Sequence, residues 1–149
     1  MTAKERVLSR ERQRGRAAAL EVQERSASMT GTELYAADDR IPRFKVACEK
    51  QNMLNRPVGF VCKSTEGRVV VLLQPYDSTI YIGEPESLPA LWGFKWSQDP
   101  EKALPFVAMS TSPYSKGDCC TENGVTYRSI IENNVWAPSA YPQGWEALK

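Results

Sequence analysis

The sequence predicts an α+β fold: an extended N-terminal helix followed by two small antiparallel β modules that form a degenerate internal repeat. Three observations predict it. Residues 2–28 hold no proline, one glycine (Gly15) and many Ala, Arg, Glu, Gln and Leu, which cost least in a helix. From about residue 56 the chain changes to short runs of β-branched and apolar residues, broken at Gly67 and Gly124 by turn signals. The two hairpin stretches, "VGFVCKSTEGRVVVLLQPYD" and "KGDCCTENGVTYRSIIENN", also answer one another. Gly59 stands beside Gly117, Cys62 near Cys120 and Gly67 beside Gly124. Each hairpin is followed by a proline-containing loop and then a tryptophan, Trp92 or Trp145. Units this short sit near the lower size limit for a self-sufficient core, so the two are expected to pack together or across an oligomer.

In the N-terminal helix, Leu8, Gly15, Val22 and Met29 recur at heptad spacing, with Ala18 and Ala19 beside them. This apolar stripe is too thin to hold a lone helix. It suits docking on a partner protein or on copies of itself in a weak coiled coil; the other reading is a solvated helix. In "SMTGTELYAADDRIPRF", Thr30 or Thr32 is placed to cap a second short helix that Pro42 stops. Asp38 and Asp39 read as a helix-end or loop pair.

Within the first module, "STIYIG" reads as a third short β run and "ALWGFKW" as a fourth apolar segment. Pro75, Pro85 and Pro89 forbid regular central strands between them. Glu84 and Glu86, flanking Pro85, read as solvated. "SQDPEKALPFVAMSTSP" reads as a linker with a short apolar piece, Leu104 to Met109. After the second hairpin no further strand is evident. The organisation expected is a helical anchor or oligomerisation region over 1–45, a first β module over 46–100 and a second over 101–149.

Composition narrows the function. Net charge is +1, with seven Lys/Arg and four Asp/Glu in residues 1–28 and twelve and fourteen in the remainder. That is mild polarity, not the basic footprint of a nucleic-acid binder. The chain has no histidine, which removes the commonest general base and metal ligand. Serine triads, Cys–His dyads and His-containing zinc sites are excluded. Cys48, Cys62, Cys119 and Cys120 form no CxxC pair, and they read as small buried thiols. There is no credible carboxylate pair and no phosphate-binding glycine loop. An enzyme is not expected, nor a cofactor, nor a metal. The charged start lacks the apolar stretch of a secretory signal, and no apolar run is long enough to span a bilayer. Synthesis and folding in the cytosol, without membrane insertion, are expected.

The C-terminal segment "PYSKGDCCTENGVTYRSIIENNVWAPSAYPQGWEAL" carries a recognisable pattern: an aromatic, Gly-Asp, a strand, a turn glycine, a Tyr in the next strand, a proline loop and a final Trp. Those places are Tyr114, Gly117, Asp118, Gly124, Tyr127, Pro138 and Trp145. The pattern resembles the small carbohydrate-binding modules of bacterial chitinases, families five and twelve. "YRSIIENNVWAPSAYPQGWE" is similar to C-terminal segments of tail or fibre proteins from phages and prophages of Gram-positive bacteria. Residues 29–110 are similar to upstream parts of the same small virion proteins. The first copy departs from the pattern, with Val70 where Tyr127 stands and Phe60 after Gly59 in place of Asp.

The resemblance implies a virion protein made in the host cytoplasm. Residues 1–29 would attach it to other virion proteins and to copies of itself, as a trimer or another homo-oligomer, and its module would touch a host cell-surface glycan. Trp136 and Tyr141 are the candidate stacking rings, with Asn133 and Asn134 as polar neighbours. Two readings stand for these rings: solvent-facing and ligand-binding, or plugging a small sheet. Tyr127 and Trp145 are assigned to the core. In the first copy Tyr76 and Tyr81 are weaker ring candidates, and Trp92 is assigned to the core. The alternatives in function are a pure assembly or decoration protein and a separate targeting module for a wall-degrading enzyme.

Overall fold

The computed structural model describes residues 2–148. Its first helix, α1 (Ala3–Arg25, 23 residues), starts where Thr2 and Glu5 cap each other's backbone N–H groups. Among the described side chains of its first four turns all but the half-buried Ser9 are exposed, and Leu8 and Gly15 of the heptad stripe are exposed too. Only its last turns dock. Val22 enters a buried cluster with Leu34, Tyr35, Ile41, Val61 and Val69, and Met29 packs against its edge. A second capping box, Thr30 with Glu33, opens α2 (Gly31–Ala36). At Gly31 any Cβ would lie 2.0 Å from the Trp96 carbonyl oxygen, so this close approach needs glycine. Helix α2 ends at Ala36 and not at Pro42, because a 3-10 turn over Asp38–Arg40 redirects the chain and buries Ile41. A third helix, α3 (Phe44–Lys50), carries Phe44 and Ala47 into the core; the sequence reading did not anticipate it.

The strands form two sheets. In the first, β1 (Val61–Lys63), β2 (Val69–Leu72) and β3 (Trp92–Phe94) pair antiparallel in that order. In the second, β4 (Leu104–Pro105), β5 (Cys119–Glu122), β6 (Val125–Ser129) and β7 (Trp145–Leu148) are neighbours in that order. The segment read as linker therefore contains β4, which pairs parallel with β5, and the second module is not purely antiparallel. The chain also closes with a strand, β7, which the sequence did not show. "STIYIG" is no strand. The Ile80 and Tyr81 N–H groups turn back on Asp77 O, and Ile80, Tyr81 and Ile82 face solvent.

The internal repeat is written in the backbone. Cys62 faces Val70 across the first hairpin as Cys120 faces Tyr127 across the second. Leu72 faces Trp92 as Ser129 faces Trp145. The Gly59 N–H donates to Leu72 O at 2.8 Å, and the Gly117 N–H to Ser129 O at 2.8 Å. Leu72 N returns to Phe60 O, and Ser129 N to Asp118 O. A parallel bridge flanks each hairpin, Arg43 beside Lys63 and Pro105 beside Thr121. Gly59, Gly67, Gly117 and Gly124 all have positive φ, which explains why these glycines recur at the same two corners of each unit.

The two sheets share one core. Cys62, Val70, Leu72 and Trp92 from the first are clustered with Cys120 and Trp145 from the second and with Tyr114 from the segment before β5. Phe94, Trp96, Tyr114 and Phe106 stack in sequence across the boundary. A buried arginine adds a polar tie: Arg68 Nη1 lies 2.8 Å from both Glu66 and Glu86, and Nη2 donates to Pro105 O at 2.7 Å. Glu86 is thus a half-buried ion-pair partner, and Glu84 Oε1 accepts the Thr65 N–H. Neither carboxylate is simply solvated.

Candidate functional site

The site is built on the loop between β6 and β7. Its floor is Asn134, which is fully buried. The Asn134 backbone exchanges two hydrogen bonds with Tyr114. Its Nδ2 donates to Ser129 Oγ and Gly144 O, both at 3.0 Å, and its Oδ1 accepts the Trp136 N–H. Every polar group of this side chain is engaged within the loop. Asn134 is therefore not presented to a ligand, as the sequence had suggested; its amide shapes the loop instead, because a buried amide must find partners. Asn133 is exposed and adopts φ +52°, a left-handed turn that asparagine tolerates.

On this floor stand the two rings. Trp136 is 49% exposed and Tyr141 39% exposed. Their centroids are 5.4 Å apart and their planes inclined at 49°, so they form a shallow V and not a flat platform. The Trp136 carbonyl accepts the Trp145 indole N–H at 2.8 Å, which fixes the exposed residue to the core through a buried one. Tyr141 is held by its N–H to Ala137 O, and Ser139 N donates to Glu122 Oε1 at 2.9 Å. Pro138 is buried beneath the turn. A Cβ at Gly144 would come 2.9 Å from the Tyr141 ring and 3.1 Å from Asn134 Nδ2, so only glycine lets the ring settle there. Glu122 and Gly144 support this loop and were missed by sequence reasoning; their partners are remote or meet only in the folded loop.

The other motif residues are structural. Tyr114 is buried between Trp96 and Phe106, with centroid distances of 4.1 and 5.4 Å, and burial pushes its hydroxyl pKa up. Gly117 and Asp118 form the turn into β5: Asp118 N donates to Ser115 O, and Asp118 Oδ2 accepts the Ser115 N–H at 2.8 Å. Burial raises the Asp118 carboxyl pKa, with the Glu132 charge adding to it. Gly124 makes the β5–β6 turn, Tyr127 is half-buried against the core and Trp145 is within it. The structure thus brings Trp136 and Tyr141 together at the surface, with Asn133 nearby in sequence, and gives the remaining motif residues turn or core positions.

Among the described residues no three of the Cys, Asp and Glu side chains converge as metal ligands would. Among the same residues no helix is long and apolar enough to cross a membrane. No protein-family model matches the chain, and no curated protein matches it in sequence.

Proposed function

We propose that this chain is a bacteriophage virion protein, of the tail, fibre, baseplate or capsid surface, that holds a host-surface saccharide on Trp136 and Tyr141. The observation that carries the saccharide reading is the ring pair itself. Two large rings are left roughly half exposed at 5.4 Å, on a loop otherwise pinned by buried hydrogen bonds. A protein gains nothing in core stability by holding such surfaces in water, whereas the apolar face of a pyranose stacks on them. A pre-formed loop also spares the ordering cost that weak ligands cannot meet. The virion setting is supported by the likeness of the C-terminal segment and of residues 29–110 to phage tail and fibre proteins. It is supported also by α1, whose exposed first turns are available for attachment to a particle or to further copies of the chain.

The test is co-sedimentation of the purified chain with Gram-positive cell walls and with chitin, comparing wild type with a Trp136→Ala, Tyr141→Ala double variant of unchanged circular dichroism. Binding that disappears in the variant supports adhesion through the rings. No binding of either protein, free or on assembled particles, leaves the chain as an assembly or decoration component.

A further inference from the structure

The backbone equivalence of the two modules extends into the loops that follow their second strands. In the second module the Trp145 indole N–H donates to the Trp136 carbonyl, and the Trp136 ring contacts Tyr141. In the first, the Trp92 indole N–H donates to the Tyr76 hydroxyl at 3.0 Å, and the Tyr76 ring contacts Tyr81 edge-on at 6.4 Å. The tryptophan of the third strand thus ties down an aromatic residue in both loops, and that residue carries a second ring. Tyr76 is buried where Trp136 is exposed. Tyr81, the counterpart of Tyr141, is 57% exposed.

From this correspondence we infer that the first module carries a second saccharide-binding face, centred on Tyr81 and walled by α3. The inference rests on the reading of Trp136 and Tyr141 as a saccharide site. Helix α3 has no helical counterpart in the second module, and it takes the place of the missing second ring. Between it and the loop lies a groove of about 380 Å³, lined by Phe44, Lys45, Glu49, Tyr81, Ile82 and Glu84 among others. That volume falls within the roughly 300–1,000 Å³ of small-molecule sites. One aromatic face and an apolar edge receive the C–H side of a sugar ring. Lys45 and Glu49, both exposed, and Glu84 supply donors and acceptors for its hydroxyls. The pattern of a ring flanked by both signs of charge favours a hydroxylated ligand over a purely apolar one.

The experiment is equilibrium binding of two soluble probes, chitotriose and a short peptidoglycan glycan fragment, to the full chain. Wild type, Tyr81→Ala, Ile82→Ala, the Trp136→Ala, Tyr141→Ala double variant and the triple variant lacking all three rings are compared, each with unchanged circular dichroism. The expected result is two sites per chain in wild type, one in Tyr81→Ala, one in the double variant and none in the triple variant, with Ile82→Ala weakening the Tyr81 site. One site in wild type, unaffected by Tyr81→Ala, overturns this inference and leaves the Trp136–Tyr141 site standing. One site abolished by Tyr81→Ala and untouched by the double variant upholds the inference and removes the other reading. Absence of saturable binding of either probe overturns both. A wild-type oligomer that Ile80→Ser with Ile82→Ser converts to monomer, with no second saccharide site, makes this face a protein contact and also overturns the inference.

Discussion

Gln23 pairs with Val61 as a neighbouring strand would. Its side-chain Nε2 donates to Val61 O at 2.7 Å and its Oε1 accepts the Val61 N–H at 2.9 Å. In the second module the equivalent edge, Cys119 N, is met by the backbone carbonyl of Ser97. The Gln23 amide therefore covers the Val61 end of the β1 edge, beside the Pro42–Arg43 backbone at Lys63, and anchors the helix to the sheet. Gln23→Ala leaves the N–H and C=O of the buried Val61 without their partner. It should destabilise the fold by about 1–3 kcal/mol, read by urea denaturation, and free the last turns of α1 for faster amide exchange. Unchanged stability and exchange would mean that Val22 alone holds the helix.

Arg68 binds the modules through charge. Its guanidinium joins Glu66 and Glu86 in the first to Pro105 O in the second. Removing it takes the charged partner from the half-buried Glu86 carboxylate and leaves the Ser64 hydroxyl as a donor to it. Arg68→Met should cost about 3–5 kcal/mol, and a further Glu86→Leu should recover much of that loss. Equal stability of the single and double variants in thermal unfolding would contradict the pairing.

The cysteines differ in reach. All four are free thiols, and Cys48 alone is half-buried; the others are buried. Burial raises every one of them, Cys120 to about 12. Thiolate is the reactive form. At neutral pH a disulfide reagent should therefore label one cysteine slowly, Cys48, and the other three only after denaturation. Fast labelling of two or more in the folded protein would be inconsistent with this packing.

Asp118 makes stability pH-dependent. Burial, helped by the Glu132 charge, holds its pKa above the ordinary 3.8. The fold therefore favours the protonated form. This contribution is fully present below the ordinary value and is lost as pH rises through the folded value. Asp118→Asn keeps an acceptor for the Ser115 N–H and carries no charge. The variant's stability relative to wild type should rise as urea unfolding moves from pH 3 to pH 7. A constant difference would show that Asp118 titrates normally.

What the sequence revealed follows from what is local. The hairpins were legible because Gly67 and Gly124 occupy positive-φ turns, and the start of α2 because Thr30 is a residue that caps helices; the Thr2–Glu5 capping box of α1 was not read. The repeat was legible through its glycines and cysteines, and the structure places Val70 and Tyr127 at the same register. Strands β4 and β7 were hidden because only a neighbouring strand makes strands of Leu104–Pro105 and Trp145–Leu148. "STIYIG" has strand residues but no neighbour to pair with, and Asp77 turns it instead. At the site, the sequence located the rings but not their exposure. It assigned Asn134 to a ligand, since nothing local shows that Ser129 and Gly144 already take its amide.

The most direct test of the ring-pair site is the indole N–H spectrum of ¹⁵N-labelled protein during titration with chitotriose and with a soluble peptidoglycan glycan fragment. The Trp92, Trp96 and Trp145 indoles are buried and hydrogen-bonded to Tyr76, Ser112 and Trp136, whereas Trp136 is half exposed. A saturable shift of the Trp136 signal by far more than the other three is the predicted result. Four unmoved signals at saturating concentrations of both probes would contradict the saccharide site.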